Sequence, residues 1–124
     1  MKPSNLVRIA LAAAAAGAVA AALAVHERDR APRTIALSMN GYAFNGVNPT
    51  LTCRAGERVR FVLTNDEETM VRHDFQIAGT TARCQGDLLP GQRREVVVTI
   101  SRAGVYAYSC CTHRGMGGKL VVSP

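Results

Sequence analysis

From Thr34 onward apolar side chains recur at every second position, and this constrains the fold more than anything else in the chain. Ile35, Leu37 and Met39 alternate with polar or small residues, and Val59, Phe61 and Leu63 do the same. His73, Phe75 and Ile77 share one face of a later segment, with Asp74 and Gln76 on the other; Val96, Val98 and Ile100 follow, then Tyr106, Tyr108 and Cys110. A period of two is that of a pleated strand, whose side chains point alternately to opposite faces. Glycine or proline punctuates the runs at Arg54-Ala55-Gly56-Glu57, Pro90-Gly91 and Arg102-Ala103-Gly104, and residues 119–122 close the chain as a last strand. Seven or so short strands with such turns predict an all-β fold, a two-sheet antiparallel Greek-key β-sandwich. Trp is absent, so its core must rest on Val, Ile, Leu and a few Phe and Tyr.

The first quarter of the chain reads differently. Lys2 and Arg8 bracket a short polar head, and residues 9–25 then run without a charge. Seventeen residues are slightly short for a comfortable membrane span, and Ala22-Leu23-Ala24 fits a small-x-small cleavage site. Residues 1–25 are therefore read as a signal peptide or an N-terminal membrane anchor, 26–33 as a charged linker and 34–124 as the domain. Both readings place the domain outside the cytoplasm, in the periplasm or an equivalent compartment, and the second tethers it through residues 9–25.

Without residues 1–25 the chain keeps 13 basic and 9 acidic side chains, a net charge of +4. A modest positive field favours an acidic partner surface. The basic residues are scattered rather than striped, which argues against a nucleic-acid partner.

The chemistry is concentrated in Cys110-Cys111-Thr112-His113-Arg114-Gly115-Met116, a C-x-x-H-x-x-M arrangement between two strands. A thiolate, an imidazole and a thioether on one tight loop can converge on one metal ion, and soft sulfur with imidazole suits copper in both oxidation states. The chain has three histidines; His26 lies in the linker, so His73 is the remaining candidate for a second imidazole. Two His, one Cys and a weak Met make a trigonal mononuclear copper set. Zinc could use the same donors, but structural zinc generally takes more Cys or His and no Met. With both domain histidines committed to metal, no Ser-His-Asp set or paired carboxylates can be assembled, so the chain is not read as an enzyme.

Residues 104–110 with His113, Met116 and residues 117–122 resemble the carboxy-terminal copper loop of cupredoxins of the plastocyanin and azurin family. His73-Asp74-Phe75 resembles their upstream ligand strand, and residues 55–59 and 89–91 occupy the expected turns. The resemblance covers residues 34–123, and the ligand loop is most similar to the short form in amicyanin, with two residues between His and Met. It implies His73, Cys110 and His113 as strong equatorial ligands of one copper ion cycling between Cu(I) and Cu(II), with Met116 as the weak axial one. Asp74 and Asn65 are the positions expected to support the ligands by hydrogen bonds. The family commonly has Asn where this chain has Asp74, and Thr or Ser where it has Cys111.

Four cysteines in an exported domain invite a disulfide. Cys53 precedes the turn at residues 54–57 and so falls at the end of the sandwich away from the loop. Cys84 follows the strand that begins at His73 and descends toward that same end. A Cys53–Cys84 disulfide is the expectation. Cys111 faces away from Cys110 if the strand alternates, which argues against a dinuclear copper centre bridged by two cysteines. Three roles stay open for it: a buried free thiol, a redox-sensitive accident, or a partner for Cys84.

The reading that follows is outer-sphere electron transfer, with His113 as the exit route and Arg72 and Arg114 as a positive collar for a redox partner with an acidic docking surface. The alternatives are a copper carrier or scavenger that delivers Cu(I), and a metal-free binding or sensor module with Cys111 as its reactive group.

Overall fold

A computed structural model describes residues 30–124. The contacts divide the chain into Met1–Ala31 and Pro32–Pro124, and the second unit carries eight strands. These are β1 (Arg33–Asn40), β2 (Ala43–Phe44), β3 (Leu51–Arg54), β4 (Arg58–Asn65), β5 (Gln76–Ile77), β6 (Arg93–Thr99), β7 (Gly104–Ser109) and β8 (Gly117–Ser123). The signal or anchor, and the linker up to position 29, lie outside the described residues.

One sheet runs β2-β1-β4-β6 and the other β3-β8-β7-β5. The alternation read from sequence is kept: along β4, Val59, Phe61, Leu63 and Asn65 are buried and the residues between them are not. Phe44 and Phe61 from the first sheet meet Tyr108 from the second and Phe75, which immediately precedes β5. The ring centroids are 5.9 Å apart for Phe44–Phe75, 5.3 Å for Phe44–Tyr108 and 5.4 Å for Phe61–Phe75. Edge and tilted contacts of this kind add to the area the rings bury. They join the two sheets in a chain without Trp.

The two-sheet sandwich is as predicted, but its sheets are mixed rather than antiparallel. β1 runs parallel to β4, with Ile35 opposite Phe61, and β3 runs parallel to β8, with Cys53 opposite Val122. The chain leaves the first sheet after β2, contributes β3 to the second and returns as β4, so β4 reaches β1 by a crossover rather than a hairpin. Periodicity identifies a strand but says nothing about the direction of its neighbour.

A second difference concerns the segment that starts at His73. It is not one strand but an isolated bridge, His73 to Leu88, followed by the two residues of β5. Asp74 is buried, not on an outer face. Just beyond β5 the chain turns back: Ile77 N–H donates to Ala82 O at 2.8 Å, and His73 and Leu88 exchange both backbone bonds at 3.1 and 2.6 Å. The segment therefore doubles back on itself instead of crossing the sandwich.

Candidate metal centre

β7 and β8 pair until Ser109 faces Gly117, which leaves residues 110–116 as a closed loop. Its mouth is tied by Cys110 N–H to Met116 O at 2.9 Å, and Met116 N–H reaches His113 O at 3.4 Å. The loop thus presents Cys110, His113 and Met116 from one pole, and the rung to Leu88 fixes His73 opposite them. The Cys110 sulfur lies 3.8 Å from His73 Nδ1 and 3.5 Å from His113 Nδ1. All three donor atoms fall within 4.8 Å of one another. Met116, the last residue of the loop, is 1% exposed.

These separations can be tested against a metal. With bonds of about 2.0 Å to nitrogen and about 2.3 Å to sulfur, a trigonal ion holds its N and S donors about 3.7 Å apart. The two observed distances fall on either side of that value. Two imidazoles, a thiolate and a thioether form a donor set whose softness fits copper, so the side chains present fit the ion.

The surrounding groups orient the donors. Glu67 Oε1 lies 2.9 Å from His73 Nε2, the two side chains being 9% and 0% exposed. With Nε2–H donating to that carboxylate, the His73 lone pair on Nδ1 faces the sulfur. Such a carboxylate–histidine pair fixes the ring and raises its basicity as a ligand. The same Glu67 oxygen accepts from Gly41 N–H at 2.9 Å. Asn65 supports the arrangement from below: its amide donates to Val71 O and Leu88 O, both at 2.9 Å, and its Oδ1 accepts from Glu67 N–H at 3.0 Å. It holds the loop that carries Glu67 against the bridge formed by His73 and Leu88.

Two polar groups lie against the cysteine sulfur. Asp74 N–H lies 3.5 Å from Cys110 Sγ, and the Thr112 hydroxyl is 3.2 Å from the same atom. Hydrogen bonds to a sulfur tune how much charge it holds. His113 is half-buried, and burial together with the nearby His73 lowers its pKa, against a smaller upward pull from Glu67. A neutral imidazole is the form that binds metal. Tyr42, at φ +59°, sets its ring edge-on to His113 with centroids 4.9 Å apart.

The cysteine pairing corrects the sequence reading. Cys84 is bonded to Cys111, with Cα atoms 6.2 Å apart, and Cys53 is a buried free thiol, so Cys53–Cys84 does not form. Cys53 does sit at the far end of β8, opposite Val122. Cys84 does not descend to it, because the chain turns back after β5 and returns Cys84 to the ligand end. Asp74 organises that return. Its carboxylate accepts from Phe75, Gln85 and Gly86 N–H at 2.8, 3.2 and 3.1 Å and from Arg94 Nη1 at 2.8 Å. The Asp74 side chain thus braces residues 84–86, and the disulfide carries the brace to Cys111. Of the three roles left open for Cys111, the structure selects partnership with Cys84.

The expected positive collar is also altered. Arg72 is exposed but forms an ion pair with Asp87 at 3.2 Å, whereas Arg114 is exposed on the ligand loop. Sequence reasoning missed Glu67, Thr112 and Tyr42. Nothing in a local pattern ties Glu67 to a histidine six residues later; only the fold of residues 65–72 does.

A β-sandwich with two imidazoles and a thiol converging at one pole defines a class of small metal-binding domains. The model of the cupredoxin-like domain family matches residues 10–122, and the chain belongs to that family. It is 34% identical over 87 residues to a protein named copper resistance protein A homolog from Pseudomonas syringae pv. tomato, covering 60% of this chain but only 14% of that protein. Among solved structures, auracyanin B superposes with a TM-score of 0.64 at 19% identity, covering 77% of this chain and 93% of that one. A Cu-containing nitrite reductase from Thermus scotoductus SA-01 gives 0.63 at 25% identity, over 76% of this chain and 28% of the reductase.

Proposed function

We propose that the chain is a mononuclear copper electron-transfer protein working outside the cytoplasm, with His73, Cys110 and His113 as strong ligands and Met116 as a weak fourth. The observation that carries this reading is the spacing of the Cys110 sulfur at 3.8 and 3.5 Å from two imidazole nitrogens. Copper held there supplies a one-electron couple between Cu(I) and Cu(II). The protein's part is to keep the donors still. Cys110 and Met116 are joined by a backbone bond across the loop mouth, His73 by two bonds to Leu88, and its ring by Glu67. Donors fixed from two sides shift little when the charge on the ion changes.

His113 is the ligand ring nearest solvent and the proposed exit for the electron. Arg114 beside it favours a redox partner with an acidic surface; Arg72, being paired with Asp87, contributes less. The apolar run at residues 9–25 and the Cys84–Cys111 disulfide both support export to an oxidising compartment. The reading is of a carrier, not an enzyme.

Voltammetry of the copper-loaded domain tests this. A reversible one-electron wave, with copper retained through repeated cycles, is the expected result. Copper that leaves on reduction and passes rapidly to a Cu(I) chelator would favour the second reading, delivery of Cu(I). That reading draws support from the similarity to a protein named for copper resistance.

A further inference from the structure

Beside the centre described above lies a second sulfur cluster. Atoms of Asp74, Cys84 and Cys111 fall within 4.8 Å of one another, with the two cysteines joined as a disulfide. Cys84 is exposed and Cys111 half-buried, so the bond is open to a reductant in solution, unlike the buried thiols of Cys53 and Cys110. Exposed disulfides are the ones that exchange readily.

The segments that carry the two cysteines are each anchored by contacts other than their bond. Cys84 is held by its neighbours, because the Asp74 carboxylate accepts from Gln85 and Gly86 N–H and from Arg94, which also donates to Gly86 O at 2.7 Å. The bridge from His73 to Leu88 anchors the same stretch. Cys111 is held by Cys110, whose N–H is bonded to Met116 O. With those anchors in place, cutting the disulfide should leave two thiols near each other, starting from Cα atoms 6.2 Å apart.

We propose that Cys84 and Cys111 form a second, reduction-gated site for a soft monovalent cation, Cu(I). A dithiol reductant gives two electrons and two protons to the Cys84–Cys111 bond and becomes a disulfide itself. The cation then replaces the two thiol protons, which pass to solvent, and two metal–sulfur bonds form with no change in oxidation state. Asp74 is committed to four hydrogen-bond donors, so its role is to hold the cysteine-bearing segment and the two thiolates are the ligands. A pair of thiolates selects Cu(I) over harder ions.

The test uses the whole domain, metal-free, either left oxidised or treated with dithiothreitol and desalted without oxygen. Cu(I) is supplied from a chromogenic chelator, and free thiols are counted in the native state. Reduction should expose two additional thiols and raise bound Cu(I) from one to two ions per chain. C84S/C111S should bind one ion whatever its pretreatment. C110S, which removes a ligand of the first centre, should bind one ion only after reduction; one ion bound before reduction would count against the first centre and leave the second untouched. The proposal is overturned if native reduction exposes no thiols, if reduced wild-type protein still binds one ion, or if a second ion persists in C84S/C111S. The wild-type comparison needs no substitution, so it decides the matter even if a variant fails to fold.

Discussion

The Glu67 carboxylate and the His73 ring form a hydrogen-bonded pair at 2.9 Å with almost no exposure to water. Removing a partner behind a ligating histidine typically costs about 10–100-fold in metal affinity. Glu67→Ala should weaken copper binding by that order in a chelator competition. Glu67→Gln keeps an oxygen acceptor for His73 and Gly41 but removes the charge. It should retain most of the affinity and raise the reduction potential, because the imidazole becomes a poorer donor. An unchanged potential in Glu67→Gln would deny the carboxylate an electronic role.

Asp74 meets three backbone N–H groups and the Arg94 guanidinium from a position 4% exposed. Asp74→Asn turns one acceptor oxygen into a donor and leaves Arg94 without its counter-charge. Unfolding by denaturant should show a loss of about 2–3 kcal/mol. A loss under half a kcal/mol would mean that residues 84–86 are held by the disulfide alone.

Gly118 sits where β8 passes under the inter-sheet core. A Cβ there would lie 2.8 Å from the Tyr108 hydroxyl and 2.9 Å from Asn48 O, and the hydroxyl is itself held by Pro49 O at 2.6 Å. Forced repacking of this kind costs about 1–3 kcal/mol. Gly118→Ala should lower the thermal midpoint accordingly.

Glu57 is held below its usual carboxylate pKa of 4.5, chiefly by the hydrogen bond from Arg33, then by Arg54 N–H, with burial opposing. A depressed folded-state pKa means that the stabilisation is fully present above about pH 4.5 and fades as the pH falls through the lower folded value. Arg33 is half-exposed, so solvent screening limits the effect to about 0.5–1 kcal/mol. Stability measured from pH 6 down to pH 2 should fall less steeply in Glu57→Gln than in wild type.

The strands and the donor set were legible in the sequence for separate reasons. Burial on one face imposes alternation on β1, β4, β6 and β7, and the C-x-x-H-x-x-M loop packs three donors into seven residues. The cysteine pairing was not legible, since it depends on where residues 78–88 turn. The turn is set by Asp74, a carboxylate that pattern places on an outer face and that the fold buries to accept four donors. Glu67 was hidden for a similar reason: it meets His73 only because Asn65 folds the intervening loop, bonding Val71 and the distant Leu88. The direction of β4 beside β1 is likewise absent from periodicity.

The most direct measurement of the central claim is the optical spectrum of the domain reconstituted with Cu(II), with and without Cys110→Ser. The account predicts an intense visible absorption, lost when the sulfur at position 110 is replaced by oxygen and absent when zinc is supplied in place of copper. A colourless wild-type protein, or a spectrum that survives Cys110→Ser, would contradict it.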